Sequence, residues 1–201
     1  MSERNSWDSS YKSGDFKHWE PYFPSPELAA LVAAEVMGKK AKILDIGSGG
    51  GLDAIFLAEC GFDVIGVDFS IVGLKIAKKR SANIQEKINW VLASVFNLPV
   101  CKEAVDFVID RGLFHIIEDA DRSKYADELF RVLKLHGRVV IRGANEESAA
   151  PDRFNPITEE AIHKIFPNPK FQRGPVLSIP LVSSAGVLAA NIVFIKKIKR
   201  Y

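Results

Sequence analysis

The chain has 201 residues, of which 47% are hydrophobic and 26% are charged, and this composition excludes a disordered tail, a collagen-like fibre and a tandem array. Lys and Arg total 27 and Asp and Glu total 25, so the net charge of +2 gives no field that would gather nucleic acid or an anionic membrane. We therefore expect a small-molecule ligand, and neither nucleic acid nor a membrane as partner.

The first residues and the cysteine content of the chain bear on its cellular compartment. Residues 1–5 lack the apolar core of a signal peptide, and no apolar run approaches the ~18 residues that a membrane helix needs. Cys60 and Cys101 are too few for a disulfide framework or, by themselves, for a four-ligand zinc site, which suits a reducing compartment. Together these features predict a cytoplasmic protein.

The first 24 residues predict an N-terminal flap, because the stretch from Trp7 to Pro24 is aromatic and polar without a regular period. A helix is predicted to begin after Ser25, which supplies an N-cap oxygen before Pro26 and Glu27. Its buried stripe is predicted to consist of Leu28, Leu31, Val32 and Val36.

From residue 41 onward, short apolar runs alternate with helical patterns, which predicts a parallel sheet. The predicted strands are 41–46, 63–69, 88–93, 105–110 and 138–143. The clearest intervening helix follows Asp121 and is expected to end at His136-Gly137. Its apolar positions at helical spacing are Ala126, Leu129, Phe130 and Leu133.

Two strand-like runs end the chain, at 175–181 and 187–197, with no helix between them. They predict a closing β-hairpin. The whole pattern predicts one α/β domain over residues 1–201, with a Rossmann-like, doubly wound sheet of seven strands. This sheet is expected to be mostly parallel, with a ligand-binding core at 40–145 and an antiparallel strand from the hairpin at 175–197.

A glycine-rich loop, Asp45-Ile46-Gly47-Ser48-Gly49-Gly50-Gly51, follows the first predicted strand. Four glycines in five residues carry an entropic cost that a plain turn does not require, so the loop favours close approach of a ligand to the backbone. A dinucleotide fingerprint fits only out of register, which argues against NAD. Asp45 would repel a pyrophosphate ~4 Å away by roughly 4 kcal/mol at an effective dielectric constant of 20, but it would attract an ammonium or sulfonium group.

Asp68 ends the second predicted strand, where a carboxylate accepts hydrogen bonds from both ribose hydroxyls, each contributing ~1.5 to 3 kcal/mol. The alternative is that Asp68 only caps the next helix, although Ser70 can do that. Phe69 is placed to flank an adenine ring, and core packing is the alternative for its side chain.

The DxGxGxG pattern from Asp45 to Gly51, the acid at Asp68 and the hairpin ending resemble the class I S-adenosylmethionine-dependent methyltransferases. The resemblance implies S-adenosylmethionine as cofactor and S-adenosylhomocysteine as product. Ser94 stands where the family usually has aspartate, so adenine recognition is expected from the Ser94 hydroxyl and the Val95 backbone. The cofactor contacts that we expect in this core are Asp45, Gly47, Ser48, Gly49, Gly51, Asp68, Phe69, Ser94, Val95 and Asp110.

Asp110-Arg111-Gly112 after the fourth strand, and Trp7, Tyr11 and Trp19 in the flap, are similar to the branch that contains the thiopurine, thiol/halide and tellurite-resistance methyltransferases. This resemblance implies that Trp7 and Tyr11 fold over the cofactor and that Arg111 touches the acceptor. Arg142, after the fifth strand, is a candidate companion in holding an anionic or electron-rich acceptor, and a surface ion pair is the alternative for such an arginine. Ordinary core packing is the alternative for the aromatic rings.

Methyl transfer is an in-line displacement that depends mainly on alignment, which supplies ~7 to 11 kcal/mol, and a soft anion needs no general base. His115 is a candidate to assist a hydroxyl or thiol acceptor, and a purely structural role is its alternative. The candidate catalytic residues are therefore Arg111 and His115. His18, His136 and His163 lack metal-ligand spacing, so we expect no metal.

Three functions stay open on the sequence. The first is methyl transfer to a small molecule, with a thiol or another soft nucleophile as the favoured acceptor and the segment 145–156 helping to shape its pocket. The second is a regulator or partner subunit that binds S-adenosylmethionine without catalysis, because Ser94 departs from the family and no catalytic base is evident. The third, an RNA or protein methyltransferase, is motivated by the basic ending at 196–200, which also fits one solvated strand face. The sequence indicates neither the acceptor nor the oligomeric state.

Overall fold

The computed structural model describes residues 3–20, 23–85, 88–148, 154–183 and 186–200. The chain divides into two compact units, the first built from Met1–Val95 with Val182–Gly186 and the second from Phe96–Leu181 with Val187–Tyr201. Within the described residues, no helix is both long enough and apolar enough to cross a membrane.

The first unit contains a parallel sheet of strand order β3-β2-β1. Its core includes the fully buried side chains of Ile43, Leu44 and Ile46 on β1. The one polar residue among them, Asp45, is also buried, as expected for a strand that is covered on both faces. The elements of this unit are α1 (Glu3–Ser13), a 3₁₀ turn (Asp15–His18), α2 (Pro26–Ala33), β1 (Lys42–Ile46), α3 (Leu52–Glu59), β2 (Asp63–Asp68), α4 (Ile71–Arg80) and β3 (Asn89–Leu92).

The predicted irregular flap is instead mostly helical, as α1 and the 3₁₀ turn. Trp7 and Tyr11 are four residues apart and therefore lie on one side of α1. Asp8 on the same helix contacts α4, so tertiary contacts stabilise a helix whose sequence is too polar to show a regular apolar stripe.

Two expectations for α2 were also wrong. Ser25 precedes the helix but does not cap it with its side chain, because its hydroxyl and its backbone N–H both donate to the buried carboxylate of Asp53. Of the predicted stripe only Leu28 is buried, whereas the other three residues are half-buried, since the helix ends at Ala33.

In the second unit, β4 and β5 are parallel, β8 is antiparallel to β5, β6 is antiparallel to β8, and β7 pairs with β8. The predicted hairpin is therefore present, although residues 184–185 of its turn lie outside the described residues. The elements are β4 (Val105–Arg111), a 3₁₀ turn (Phe114–Ile116), α5 (Arg122–Val132), β5 (Leu133–Ala144), α6 (Glu159–Ile165), β6 (Phe171–Arg173), β7 (Leu177–Ser183) and β8 (Gly186–Lys197).

The junction between α5 and β5 differs from the prediction, because the helix stops at Val132 and the strand begins at Leu133 rather than at 138. The register with β4 is irregular between Val105 and Phe107, and His136 adopts a left-handed φ of 68°, so the residues before Arg138 form a bulge. Lys197 of β8 is fully buried and donates its Nζ protons to the carbonyls of Phe130 and Leu133, 2.8 Å away in each case, and to Glu103. The ammonium group of Lys197 therefore caps carbonyl groups at the end of α5, where the chain passes directly into β5.

The architecture confirms the predicted Rossmann-like α/β fold with a mostly parallel sheet and an antiparallel C-terminal hairpin. The short strand β6 adds one strand to the seven that were predicted. Its partner is β8, and its three residues are too few to produce an alternating pattern in the sequence.

Candidate functional site

The glycine loop forms the turn between β1 and α3 in the first unit. Gly47, Gly49 and Gly51 have left-handed φ values of 68°, 50° and 82°, which residues with a side chain rarely adopt. The loop is anchored to the end of β2, because the Ser48 N–H donates to the carbonyl of Val67 at 3.0 Å. Its backbone therefore carries few side chains of its own and is fixed in position at Ser48.

Asp68 faces this loop from the end of β2. Its Oδ2 accepts a hydrogen bond from the Gly49 N–H at 2.8 Å, and its Oδ1 accepts one from the Ser70 N–H at 2.7 Å. Burial raises the pKa of Asp68, and these backbone donors act in the opposite direction. Each carboxylate oxygen keeps a lone pair for a further donor, such as a ribose hydroxyl. The helix-capping role belongs to Ser70, whose Oγ accepts from the Gly73 N–H at the start of α4.

Ser48 supports the presence of a polar ligand here. Its hydroxyl oxygen is buried and has no hydrogen-bond partner in the structure, which is unusual for a buried polar group. A loop of left-handed glycines, an orphaned hydroxyl and a carboxylate with spare acceptor capacity fit an adenosyl cofactor. The residues that would hold it are the loop from Gly47 to Gly51, with Ser48, and Asp68.

The N-terminal segment at 3–20, which we call the N-terminal cover, lies against this loop. Asp8 accepts hydrogen bonds from the Ser70 hydroxyl and from the Val72 N–H at the start of α4. Tyr11 is buried, and its ring packs against Gly73. The structure therefore brings Tyr11 to the loop as the flap prediction requires, whereas its contact with cofactor stays a prediction.

Aromatic rings pack against one another within the cover. Trp7 meets Trp19 edge to face with ring centroids 5.6 Å apart, and Tyr11 lies 5.3 Å from Phe16. Core packing therefore accounts for part of the aromatic content of this segment, as the alternative interpretation expected. Trp7 is half-buried, so part of its ring stays exposed after it packs against Trp19. Its contact with the cofactor stays a prediction.

The predicted adenine-binding residues follow β2 and β3. Phe69 is half-buried directly after Asp68, and the loop after β3 is tied to β2 because the Ala93 N–H donates to the carbonyl of Asp68 at 3.1 Å. Ser94 is exposed and Val95 is half-buried in that loop. The structure thus places Phe69, Ser94 and Val95 at the same sheet edge as Asp68, and their contacts with adenine stay predictions.

In the second unit, Asp110 has a different environment. Its carboxylate accepts hydrogen bonds from the Tyr125 hydroxyl at 2.7 Å and from the N–H groups of Leu113 and Phe114. It is only 2% exposed, and burial raises its pKa to about 6. Because protein donors already surround both oxygens, Asp110 organises the turn after β4, and a cofactor contact through its side chain is not favoured by this arrangement.

Arg111 follows Asp110 and is half-buried. Its register partner on the parallel strand β5 is Arg142, which is buried. Residues paired across neighbouring strands project on the same face of a sheet, so the side chains of both arginines leave the sheet on one face. The structure therefore brings together the two arginines that the sequence singled out.

His115 is buried and held at three points. Its Nδ1 accepts a hydrogen bond from the Ala144 N–H at 2.7 Å, its ring lies 4.4 Å from the ring of Phe154, and its carbonyl accepts from the Asn155 N–H. A neutral imidazole that accepts at Nδ1 carries its proton on Nε2. His115 is therefore set up as a hydrogen-bond donor at Nε2 and not as a base.

Sequence reasoning missed Asp8, Glu20 and Arg80, which join the cover to α4 and the glycine loop. The contacts of Asp8 and Glu20 with α4 span 60 or more residues and that of Arg80 with Gly50 spans 30, so no local sequence pattern indicates them. Part of the predicted pocket segment 145–156, at 149–153, lies outside the described residues. Across the described part of the chain, no cluster of three or more His, Cys, Asp or Glu residues is arranged to hold a metal ion.

Comparisons with known proteins bear on the family. A family model described as a methyltransferase domain matches residues 43–137. The human EEF1A lysine methyltransferase 2 is 32% identical over 197 residues, which covers 87% of this chain and 80% of that protein. A demethylmenaquinone methyltransferase from Clavibacter sepedonicus is 37% identical over 109 residues, covering 54% of this chain and 42% of the relative, so the chain spans less than half of that protein's length.

Among solved structures, the 1,6-didemethyltoxoflavin-N1-methyltransferase of Burkholderia thailandensis shares the fold, with a TM-score of 0.77 at 20% identity over 98% of this chain and 87% of the other. The matched domain contains the glycine loop, Asp68 and the β4 turn. Near full-length similarity to a methyltransferase above 30% identity and a site that fits an adenosyl ligand lead to one conclusion: the chain belongs to the class I S-adenosylmethionine-dependent methyltransferases.

Proposed function

We propose that the enzyme methylates a small molecule that carries negative charge and reacts through a soft nucleophile, such as a thiol. The observation that carries this proposal is the register pair of Arg111 and Arg142 at the end of β4 and β5. Two arginines that project from the same face and the same end of the sheet favour an anionic ligand, because each guanidinium group is positively charged and offers several directed N–H donors. Arg111, the more exposed of the two, is the one that we assign to the acceptor.

S-adenosylmethionine, when bound, supplies a methyl group that is activated by its sulfonium centre. The glycine loop and Asp68 bind and orient the nucleoside, and Asp45 places a negative charge near the end of β1. Trp7 and Tyr11 of the cover exclude water and present aromatic faces, which attract a cation by ~0.5 to 2 kcal/mol. The work of this chain is thus alignment, which suits an in-line displacement.

The state of His115 supports an acceptor that arrives already nucleophilic. Because Nδ1 accepts from the Ala144 N–H, the imidazole has no free lone pair at Nε2 with which to remove a proton. Taking up a proton at Nδ1 would break that hydrogen bond. A thiolate, a sulfide ion or a halide needs no such base, whereas an alcohol does.

The likeness of Asp110-Arg111-Gly112 and of the aromatic N-terminal segment to the thiopurine, thiol/halide and tellurite-resistance branch supports the same acceptor class. In this proposal the enzyme has no nucleic-acid or membrane partner, because the net charge is only +2. We also propose a cytoplasmic location, where a reducing environment keeps a thiol acceptor reduced.

Methylation of a protein lysine is the second candidate, because the human EEF1A lysine methyltransferase 2 matches 87% of this chain. The two candidates differ in the acceptor's size and in its need to lose a proton. A lysine must be deprotonated before it attacks, and the arginine pair repels its ammonium form.

An acceptor screen distinguishes the two. The enzyme is incubated with S-adenosylmethionine and thiols, sulfide, halides or thiopurines, and release of S-adenosylhomocysteine is measured. In parallel, S-adenosylmethionine labelled on its methyl group is supplied with elongation factor 1A and with whole-cell protein. We expect turnover with a carboxylate-bearing thiol and no labelled protein. Labelled lysine without any small-molecule product would establish the second candidate instead.

A pH series tests the absence of a base. For two thiols of different pKa, the inflection of kcat/KM should move with the pKa of the thiol. His115→Asn, whose side-chain oxygen can still accept from the Ala144 N–H, should lower kcat by less than tenfold, whereas loss of a general base typically lowers it by ~10² to 10⁴. An inflection that stays fixed for both thiols and a loss in that larger range would contradict the proposal.

A further inference from the structure

Gly50 is the one glycine of the loop at 47–51 whose backbone conformation does not require glycine. A Cβ atom at this position would collide with Nη1 of Arg80 and with Oε1 of Glu20. The space that a side chain at this position would enter is therefore occupied by an ion pair of the same chain.

That ion pair connects three segments. The Arg80 guanidinium, at the end of α4, donates to both carboxylate oxygens of Glu20 at 2.8 and 2.7 Å, and to the Gly50 carbonyl at 3.0 Å. The Glu20 side chain is 10% exposed and that of Arg80 is 33% exposed, so solvent screens the pair only in part. A fork-shaped donor is needed to reach all three acceptors at once.

The space beside Gly49 is likewise occupied by a side chain of the N-terminal cover, in this case from α1. A Cβ atom on Gly49 would collide with the Tyr11 hydroxyl, and one on Gly73 would lie 3.1 Å from the Tyr11 ring. Asp8, one turn before Tyr11, is bonded to the start of α4 through Ser70 and Val72. Two adjacent glycines of the loop thus make room for the cover.

We propose that Arg80 is a positioning residue for the cofactor, because it fixes the glycine loop through the Gly50 carbonyl and holds the N-terminal cover on that loop through Glu20. Arg80 acts through the loop and the cover, with Asp8 as the second attachment of the cover. By linkage, a cofactor that requires an ordered loop binds more tightly when the cover is closed, and bound cofactor shifts the equilibrium of the cover toward its closed state. The inference concerns the cofactor site and does not depend on which acceptor is methylated.

The first test measures binding of S-adenosylhomocysteine by calorimetry. Arg80→Ala should raise Kd about tenfold, the equivalent of one charge-assisted hydrogen bond lost from the site. Arg80→Lys keeps the charge but cannot reach all three acceptors. Its Kd should therefore lie between that of Arg80→Ala and that of the wild type. Lys79→Ala removes an exposed cation from the same helical turn and is the matched control, with Kd expected within twofold of the wild type.

Hydrogen exchange of the ligand-free protein gives a readout that is independent of activity. Amides of the cover and of the loop at 47–51 should exchange faster in Arg80→Ala than in Lys79→Ala, while those of β5 and β8 stay unchanged and show that the variant is folded. Unchanged exchange in the cover together with unchanged Kd would overturn the proposal.

A double-mutant cycle separates an effect through Arg80 from a direct effect of Gly50 on the ligand. Gly50→Ala should weaken S-adenosylhomocysteine binding about tenfold in the wild type, because the new methyl group displaces the ion pair. In a background of Glu20→Ala and Arg80→Ala the same change should weaken binding less than twofold, since the colliding atoms are gone. An equal loss in both backgrounds would mean that Gly50 meets the cofactor directly, and the proposal would be wrong.

Discussion

Two buried aspartates end parallel strands in this protein, Asp68 on β2 in the first unit and Asp110 near the end of β4 in the second. Burial raises the pKa of both carboxyl groups. Asp68 accepts from the backbone N–H group of Gly49 in the glycine loop and from that of Ser70 in its own turn. Asp110 accepts from a tyrosine hydroxyl and from two successive backbone N–H groups of its own turn.

The difference lies in what faces each carboxylate. Asp68 faces the glycine-rich loop, whose buried Ser48 hydroxyl lacks a partner, so both groups keep hydrogen-bonding capacity that a ligand could use. Asp110 is enclosed by Tyr125 and the 3₁₀ turn at Phe114–Ile116, so its hydrogen bonds shape the protein. Residue type is the same and strand position is similar, so the neighbours decide whether an aspartate keeps acceptor capacity for a ligand or holds a turn.

The largest expected effect is that of Asp68→Ala on cofactor affinity. Loss of two charge-assisted hydrogen bonds, each worth ~1.5 to 3 kcal/mol, should raise the Kd of S-adenosylhomocysteine at least about a hundredfold. Calorimetry measures this change, and Asp110→Asn is the control, with Kd expected within threefold of the wild type. If the two variants bound equally well, the distinction between the two aspartates would be lost.

The second prediction concerns the pH dependence of stability. The folded-state pKa of Asp110, about 6, lies above its ordinary value of 3.8, so this carboxyl stabilises the fold fully at low pH and loses that contribution as the pH rises through 6. The loss amounts to roughly 2 kcal/mol between pH 4 and pH 7.5. Relative to the wild type, Asp110→Asn should therefore become more stable by about this amount across the range, as measured by urea unfolding. Parallel curves for the two proteins would show that Asp110 does not titrate there.

A smaller effect is expected for Arg111, which follows the structural Asp110 but is assigned to the acceptor. Arg111→Ala should raise the KM of the acceptor about tenfold through loss of one charged hydrogen bond, while the Kd of S-adenosylhomocysteine stays within twofold. Arg111→Lys should recover part of the affinity because it keeps the charge. Equal changes in both constants would remove Arg111 from the acceptor site.

The smallest effect is expected at Ser94, the exposed residue that stands where the family usually has aspartate. Ser94→Asp should lower the Kd of S-adenosylhomocysteine by up to about fivefold, because a carboxylate accepts a hydrogen bond from the adenine amino group more strongly than a hydroxyl does. Ser94→Asn keeps the shape without the charge and should change Kd less. Weaker binding by Ser94→Asp would place adenine elsewhere in the first unit.

Much of the fold was predictable because β1, β2 and β4 are short buried runs and α5 has apolar residues at helical spacing. The β5 start was not predictable, since a buried lysine from β8 caps α5 and lets the strand begin at once. The N-terminal helix was missed because its stability comes from contacts with α4 more than 60 residues later in the chain.

For the candidate site, the position of the glycine loop was predictable from the sequence, but the reason for each of its glycines was not. The glycine content of the loop indicated close approach of a ligand to the backbone, and the left-handed φ values of Gly47 and Gly51 fit a loop of that kind. The space beside Gly50, however, is occupied by the Arg80–Glu20 ion pair, and the space at Gly49 is occupied by Tyr11. Composition cannot distinguish room for a ligand from room for another segment of the same chain.

The ammonium group of Lys197 has a consequence for the order of events during translation. The two carbonyls that it caps, at Phe130 and Leu133, leave the ribosome 67 and 64 residues before it does. Until then water is their partner, and β5 lacks its antiparallel neighbour. We therefore expect the nascent second unit to acquire its full cooperativity only when its final strand has been synthesised.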